Sequence, residues 1–125
     1  MSASSSGLPR PGLNTKETVE AFNDAFGRHD VDAVMALMTD DCLFENTLPP
    51  PDGERHVGQA DVRRFWEEFF SGTPQAQFET EEMVVAGDRA VVRWRFNWGS
   101  GHVRGIDLFK VRDGKVAEKL SYVKG

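Results

Sequence analysis

Apolar residues return at helical spacing in three places along this 125-residue chain. Val19, Phe22, Ala25 and Phe26 form the first stripe, and Asn14 followed by Glu17 offers it an N-cap with a reciprocal partner. This predicts a helix that ends near Gly27. Asp30 can cap a second, short helix whose inner face is Val31, Val34, Leu37 and Met38, with almost no linker before it. After Gly58 a third helix runs to about Phe70, with Val62, Phe65, Trp66, Phe69 and Phe70 turned inward. Between the second and third helices, Thr39-Asp40-Asp41 acts as a stop. Cys42 to Asn46 then reads as a short strand in which Cys42, Phe44 and Asn46 alternate with Leu43 and Glu45. Pro49-Pro50-Pro51 and Asp52-Gly53 predict a loop without ladder bonds.

From Gln77 onward the period changes to that of strands. Gln77 to Ala86 and Arg89 to Trp98 are separated by Gly87-Asp88, and Gly99-Ser100-Gly101 leads into His102 to Arg112. Asp113-Gly114 is the dipeptide best suited to a two-residue hairpin turn, so Lys115 to Val123 returns antiparallel. The order ααβαββββ places the helices on one face of a curved antiparallel sheet, an α+β domain over residues 14–125. Within Arg89 to Trp98, Val92, Trp94, Phe96 and Trp98 share one face and Arg93, Arg95 and Asn97 the other. One face is expected to meet the helices, the other solvent or a second subunit. Val92, Trp94, Phe96 and Trp98, with Ile106, Leu108 and Leu120, are candidates for a homodimer surface through the sheet.

Composition narrows the class without changing the fold. Net charge is −5 and no basic block occurs, so nucleic acid is not expected as a partner. Residues 1–13, rich in Ser, Gly and Pro, read as a disordered leader without the apolar middle of a signal peptide. No apolar run approaches a membrane span, and the single Cys42 cannot form an internal disulfide; cytoplasm is the expected location. His29, His56 and His102 lack metal-ligand spacing, and neither a Gly-rich phosphate loop nor a Gly-x-Ser-x-Gly elbow is present. No metal or cofactor is expected.

One residue breaks the apolar pattern of the longest strand. Asp107 lies between Ile106 and Leu108, where a carboxylate must face water or be buried with partners. Three readings stay open: a pocket acid or base, a structural ion pair with Arg95 on the neighbouring strand, or a solvated side chain. Asn46 can either hold a water in a pocket or form the turn that ends its strand.

Asp30-Val31-Asp32-Ala33-Val34, leading into Met38-Thr39-Asp40-Asp41-Cys42, then Gly58, Gly105-Ile106-Asp107-Leu108-Phe109 and Asp113-Gly114-Lys115-Val116 carry a resemblance. By their order and spacing the chain resembles the nuclear transport factor 2-like superfamily, in the branch of ketosteroid isomerases and SnoaL-like polyketide cyclases. The resemblance implies a cystatin-like α+β roll, a cone with an apolar pocket between the helices and the concave sheet. It places Asp107 where the isomerases keep a carboxyl that donates to an enolate. Their base falls at Asn46 and their oxyanion tyrosine at Phe22, neither of which supplies that chemistry. In the cyclase relatives a pocket Asp is general acid and base, without a cofactor; Asp107 would take that part.

Phe44-Glu45-Asn46-Thr47-Leu48-Pro49-Pro50 is similar to the first strand and proline loop of limonene epoxide hydrolases. There Asn46 and Arg95 match, while Phe44, Asn97 and Ser121 replace a tyrosine and two aspartates. These resemblances imply Asp107, Asn46 and Arg95 as catalytic candidates, lined by Phe22, Met38, Phe44, Trp66, Asn97, Phe109 and Ser121, with a hydrophobic small molecule as partner. The implied function is a cofactor-independent isomerase, cyclase or lyase acting on a hydrophobic carbonyl compound. The alternatives are a non-catalytic binder or dimerisation module, and an epoxide hydrolase-like enzyme.

Overall fold

In the computed structural model, which describes residues 14–125, the capping pair forms as the spacing predicts. Asn14 Oδ1 accepts from Glu17 N at 2.8 Å and Glu17 Oε1 accepts from Asn14 N at 3.2 Å, starting α1 (Thr15–Gly27). Asp30 Oδ1 accepts from Ala33 N at 3.1 Å and starts α2 (Val31–Ala36). The proposed leader, residues 1–13, lies outside the described residues.

The short α2 gives way at once to β1 (Met38–Glu45), so Met38 and Thr39 to Asp41 are strand, not the end of a helix and its stop. Gln59 makes this switch possible. Its Nε2 donates to Met35 O, Met38 O and Thr39 O at 3.0–3.2 Å, tying the end of α2 to the start of β1. The proline loop then returns as β2 (Arg55–Val57), an edge strand that the loop reading missed because three residues carry too little periodicity. α3 (Gln59–Gly72) follows, with Val62, Trp66 and Phe70 buried on its inner face.

β3 (Gln77–Ala86), β4 (Arg89–Asn97), β5 (His102–Arg112) and β6 (Lys115–Val123) pair antiparallel in sequence. β1 joins the other side of β6 in parallel, giving one six-stranded sheet in the order β2-β1-β6-β5-β4-β3. The architecture is thus the expected α+β roll, with a single parallel pair and one added edge strand. All three helices lie on one face, over a core built on Val19, Phe22, Trp66, Val92 and Phe109.

The register decides which side of each strand faces those helices. Val92 is opposite Asp107 and Trp94 opposite Gly105, so Val92, Trp94, Phe96, Asp107 and Phe109 share the inner, concave face. Arg93, Arg95, Asn97, Ile106 and Leu108 share the outer one. This corrects the association surface drawn from the sequence. Val92 and Trp94 are buried on the inner face, at 2% and 6% exposure, whereas Trp98 is 39% exposed just past the end of β4. The outer face is laced by ion pairs: Arg104 Nε and Nη2 reach Glu81 at 2.8–3.2 Å, and Arg93 Nε reaches Glu82 at 2.9 Å.

Candidate active site

Between α3, the end of α1 and the concave sheet lies a cavity of about 190 Å³. Its walls are aromatic: Phe65, Trp66 and Phe69 come from α3, Phe26 from α1, and Phe44, Phe78, Trp94 and Phe96 from the sheet. Helical spacing puts Phe65, Trp66 and Phe69 on neighbouring positions of one turn, and strand alternation brings Phe78, Trp94 and Phe96 to the facing surface. Phe78 stacks on Phe96 with centroids 4.6 Å apart, and Phe44 meets Trp66 at 4.3 Å. At the mouth stand Asn46, Thr47 and Leu48. Gly53 lets the proline loop fold back there: its φ is +82°, and a Cβ on it would lie 1.7 Å from Asn46 O.

The polar end of the cavity is a closed set of three side chains. Ser121 Oγ donates to Asp107 Oδ1 at 2.7 Å, Lys119 Nζ lies 3.3 Å from Asp107 Oδ2, and Lys119 Nζ donates to Ser121 Oγ at 3.2 Å. The three residues are 6–9% exposed. Lys119 Nζ also lies 4.9–5.5 Å from the ring centroids of Phe44, Trp66 and Phe26. A desolvated ammonium is favoured by such faces and by the carboxylate beside it. The pair is neutral as a whole, which is how a lysine and an aspartate can both sit in an apolar setting. Asp107 Oδ1 accepts from Ser121 and keeps a lone pair, while Oδ2 faces the Lys119 ammonium as an ion-pair partner.

β6 supplies two members of this set because of a bulge. The β5–β6 register shifts between Lys110 and Val111, so Asp107 faces Ser121 and Phe109 faces Lys119. Counting back from the Asp113-Gly114 turn without that shift would set Asp107 opposite Leu120 and turn Lys119 to solvent. Sequence reading therefore missed Lys119, the cavity's cation. The signals that could have found it are adjacent apolar residues, Val116 and Ala117, both buried on a strand that otherwise alternates.

The predicted site residues separate into three groups. Asp107, Ser121, Phe44, Trp66 and Asn46 line the cavity. Asn46 uses its Oδ1 to accept from Thr47 N at 2.8 Å, the turn-forming role, while standing at the mouth. Phe22, Met38 and Phe109 are at most 1% exposed and pack in the core beside the cavity, not in its wall. Arg95 and Asn97 are on the outer face. Arg95 is level with Arg104, its Nη2 3.4 Å from His102 Nδ1, and Asn97 Oδ1 accepts from Gly99 N. The expected Asp107–Arg95 pair does not form; odd and even positions of β4 face opposite sides, and Asp107 meets the even set.

Behind the wall, His56 packs against Phe65 at 4.8 Å with the ring planes tilted by 39°, and its Nδ1 lies 3.3 Å from Asp61 Oδ1. This hydrogen bond, with the charge of His56 and the Val57 N–H, holds the Asp61 carboxyl below its usual range. Glu54 Oε1 is 3.1 Å from His56 Nε2 but off the N–H axis, so that nitrogen has no hydrogen bond among the described residues. Burial pushes the Cys42 thiol up, as befits a small core residue. Among the described residues no group of three His, Cys, Asp or Glu could hold a metal ion, and no helix is long and apolar enough to cross a membrane.

Comparison with known proteins bears on this arrangement. The model of the SnoaL-like domain family matches residues 19–119. A nuclear transport factor 2-like protein of unknown function from Mesorhizobium loti is 43% identical, with TM-score 0.80, over 89% of this chain and 91% of its own. A Sinorhizobium meliloti protein proposed to be a polyketide cyclase is 25% identical, with TM-score 0.73, over 84% of this chain and 93% of its own. A Kribbella flavida protein proposed to be a ketosteroid isomerase shares the fold at 22% identity, with TM-score 0.77, over 89% of this chain and 78% of its own. By sequence, a protein named cofilin from Eremothecium gossypii is 28% identical over 88% of this chain and 75% of its own.

Proposed function

The chain belongs to the SnoaL-like domain family, and from that premise we propose that it binds a neutral, apolar carbonyl compound and removes a proton beside the carbonyl. In this reading the C–H proton passes to the Asp107 carboxylate and the electron pair moves into an enolate. The developing oxyanion takes a hydrogen bond from Lys119 Nζ. Lys119 thus supplies the cationic donor that Arg95 does not. Asn46 meets the incoming ligand at the mouth. The reaction then closes by return of the proton, by carbon–carbon bond formation or by elimination, according to the substrate, and needs no cofactor.

The observation that carries this reading is an acceptor and a donor, Asp107 and Lys119, set side by side in an aromatic cavity. Their mutual neutrality favours a neutral ligand over an anionic one, which would meet the Asp107 charge in a poorly screened space. The volume, about 190 Å³, is that of roughly six waters in the liquid, so the buried part of the ligand is small. The epoxide hydrolase-like alternative has less support, since Arg95 and Asn97 face away and Asp107 is the one carboxylate among the described lining residues. Binding without chemistry is supported by one specific feature: Asp107 is already engaged within the protein, its Oδ1 accepting from Ser121 and its Oδ2 facing the Lys119 ammonium.

Proton exchange separates the two. β-Tetralone, a bicyclic ketone, is incubated with the protein in D2O and its α-proton signal followed by NMR. The wild type should exchange the α-proton about a hundredfold or more faster than Asp107→Asn. Equal rates with equal binding leave a non-catalytic binder. Location in the cytoplasm and a homodimer through the outer sheet face, where Ile106, Leu108 and Leu120 are half-buried and Tyr122 is exposed, belong to the same proposal.

A further inference from the structure

Asp107 and Lys119 have a second side. Besides the aromatic cavity they line a separate cavity of about 50 Å³, between α1 and the β3–β4 strands, with Asn23, Thr80, Phe26, Phe78, Val92 and Trp94. The ion pair therefore stands as a partition between two spaces of different character. On one side the wall is aromatic. On the other, the Asn23 amide and the Thr80 hydroxyl join the carboxylate and the ammonium.

Neither Asn23 nor Thr80 is placed there by its element's apolar logic. Asn23 interrupts the inward stripe of α1 between Phe22 and Phe26. Thr80 is opposite Trp94 in the β3–β4 ladder, on the concave face, where its neighbours in the pattern are Phe78 and Met83. The Trp94 indole belongs to the walls of both cavities, and its N–H is buried without a partner among the described residues. Water needs room and two to four polar partners: about 50 Å³ compares with roughly 30 Å³ per molecule in the liquid. Four polar side chains converge on the space. Thr80 is exposed and Asn23 half-buried, so the cavity meets the surface between α1 and β3.

We propose that this second cavity is a water site, held by Asn23 and Thr80, through which Asp107 exchanges its proton with solvent while the aromatic cavity is occupied by ligand. This rests on Asp107 acting as the base proposed above. Asn23 and Thr80 are positioning residues; neither lines the aromatic cavity. The step balances simply. The proton taken from the ligand's carbon to Asp107 passes to the water, which returns a solvent proton to the carboxylate by the same path. The consequence is chemical: a proton removed from the ligand is lost to bulk instead of being carried back to the same molecule. An enzyme so built favours reactions in which the abstracted proton need not be returned, such as carbon–carbon bond closure or elimination, over a protected proton shift.

The test combines a structure with an exchange measurement. A crystal structure of the wild type at high resolution should show water within hydrogen-bond distance of Thr80 Oγ1 and an Asp107 oxygen, and the Asn23→Leu/Thr80→Val variant should lack it. With β-tetralone at saturation in D2O, the double variant should exchange the α-proton about tenfold or more slowly. The half-saturation concentration should be unchanged, and Thr80→Ser should keep the wild-type rate. A merely structural role would move binding and stability together and would not be spared by Thr80→Ser. A wild-type crystal without that water, or a double variant exchanging at the wild-type rate, overturns the proposal. Should the wild type exchange no faster than Asp107→Asn, the base reading has failed and the proton route falls with it. The water site itself is then decided by the crystal alone.

Discussion

Lys119→Met removes the cation of the cavity and leaves its shape nearly intact. Both side chains of the Asp107–Lys119 pair are 8% exposed, so Asp107 would remain buried, with Ser121 as its one protein hydrogen-bond donor. Breaking a buried pair by deleting one partner typically costs about 3–5 kcal/mol, because the surviving charge keeps its desolvation penalty. Methionine softens the loss: its thioether can pack on Phe26, Phe44 and Trp66, where the ammonium sat. A fall in stability of about 3 kcal/mol is therefore expected, read by urea unfolding at neutral pH with an unchanged denaturant slope. The double variant Asp107→Leu/Lys119→Met should recover most of it, since no charge is left to bury. A Lys119→Met loss of less than about 1 kcal/mol is the value of an exposed pair and would refute the buried, mutually dependent pair on which the site is built.

Other outcomes follow from single features. A Cβ on Gly105 would lie 2.1 Å from Tyr122 O and 2.6 Å from the Trp94 ring; Gly105→Ala should destabilise by roughly 1–3 kcal/mol and shift tryptophan fluorescence as Trp94 is displaced. Arg104 hydrogen bonds hold the Glu81 carboxyl below its usual range. A lowered folded value gives stability that is present above the ordinary glutamate range and lost as pH falls through the lowered one, so Glu81→Gln should unfold with a shallower acid dependence below about pH 5. Sedimentation at micromolar concentration should give twice the 14.0 kDa chain mass, and charges introduced at Leu108 and Leu120 on the outer face should return it to monomer; a wild-type monomer removes the dimer proposal.

The chain announces its elements more clearly than its site. Helical spacing of Val19, Phe22 and Phe26, and of Val62, Trp66 and Phe70, is a local property, and so is the Asp113-Gly114 turn; these are borne out. Asp107 was visible because a carboxylate inside an apolar strand has few tolerable settings. Its partner was not. The β4–β5 register sets Val92, not Arg95, opposite Asp107, and the β5–β6 bulge between Lys110 and Val111 reverses the faces of β6 and brings Lys119 to the same side. Which face of β4 the helices cover is likewise not written in β4 itself, and Val92 and Trp94 prove to lie on the buried one. β2 and the early start of β1 were hidden for another reason: Arg55 to Val57 pairs only because β1 lies beside it, and Met38 gives up helix for a parallel partner, Val116, in β6.

In the proposed reaction a ligand carbonyl meets Lys119 while its α-carbon faces Asp107, and a structure with β-tetralone bound would show both contacts at once. The ketone should lie between Trp66, Phe69 and Trp94, with its oxygen about 2.8–3.0 Å from Lys119 Nζ and an α-carbon next to an Asp107 oxygen. A ketone seated in that cavity with its oxygen turned toward Asn46 and the mouth, away from the Lys119–Asp107 pair, would contradict it.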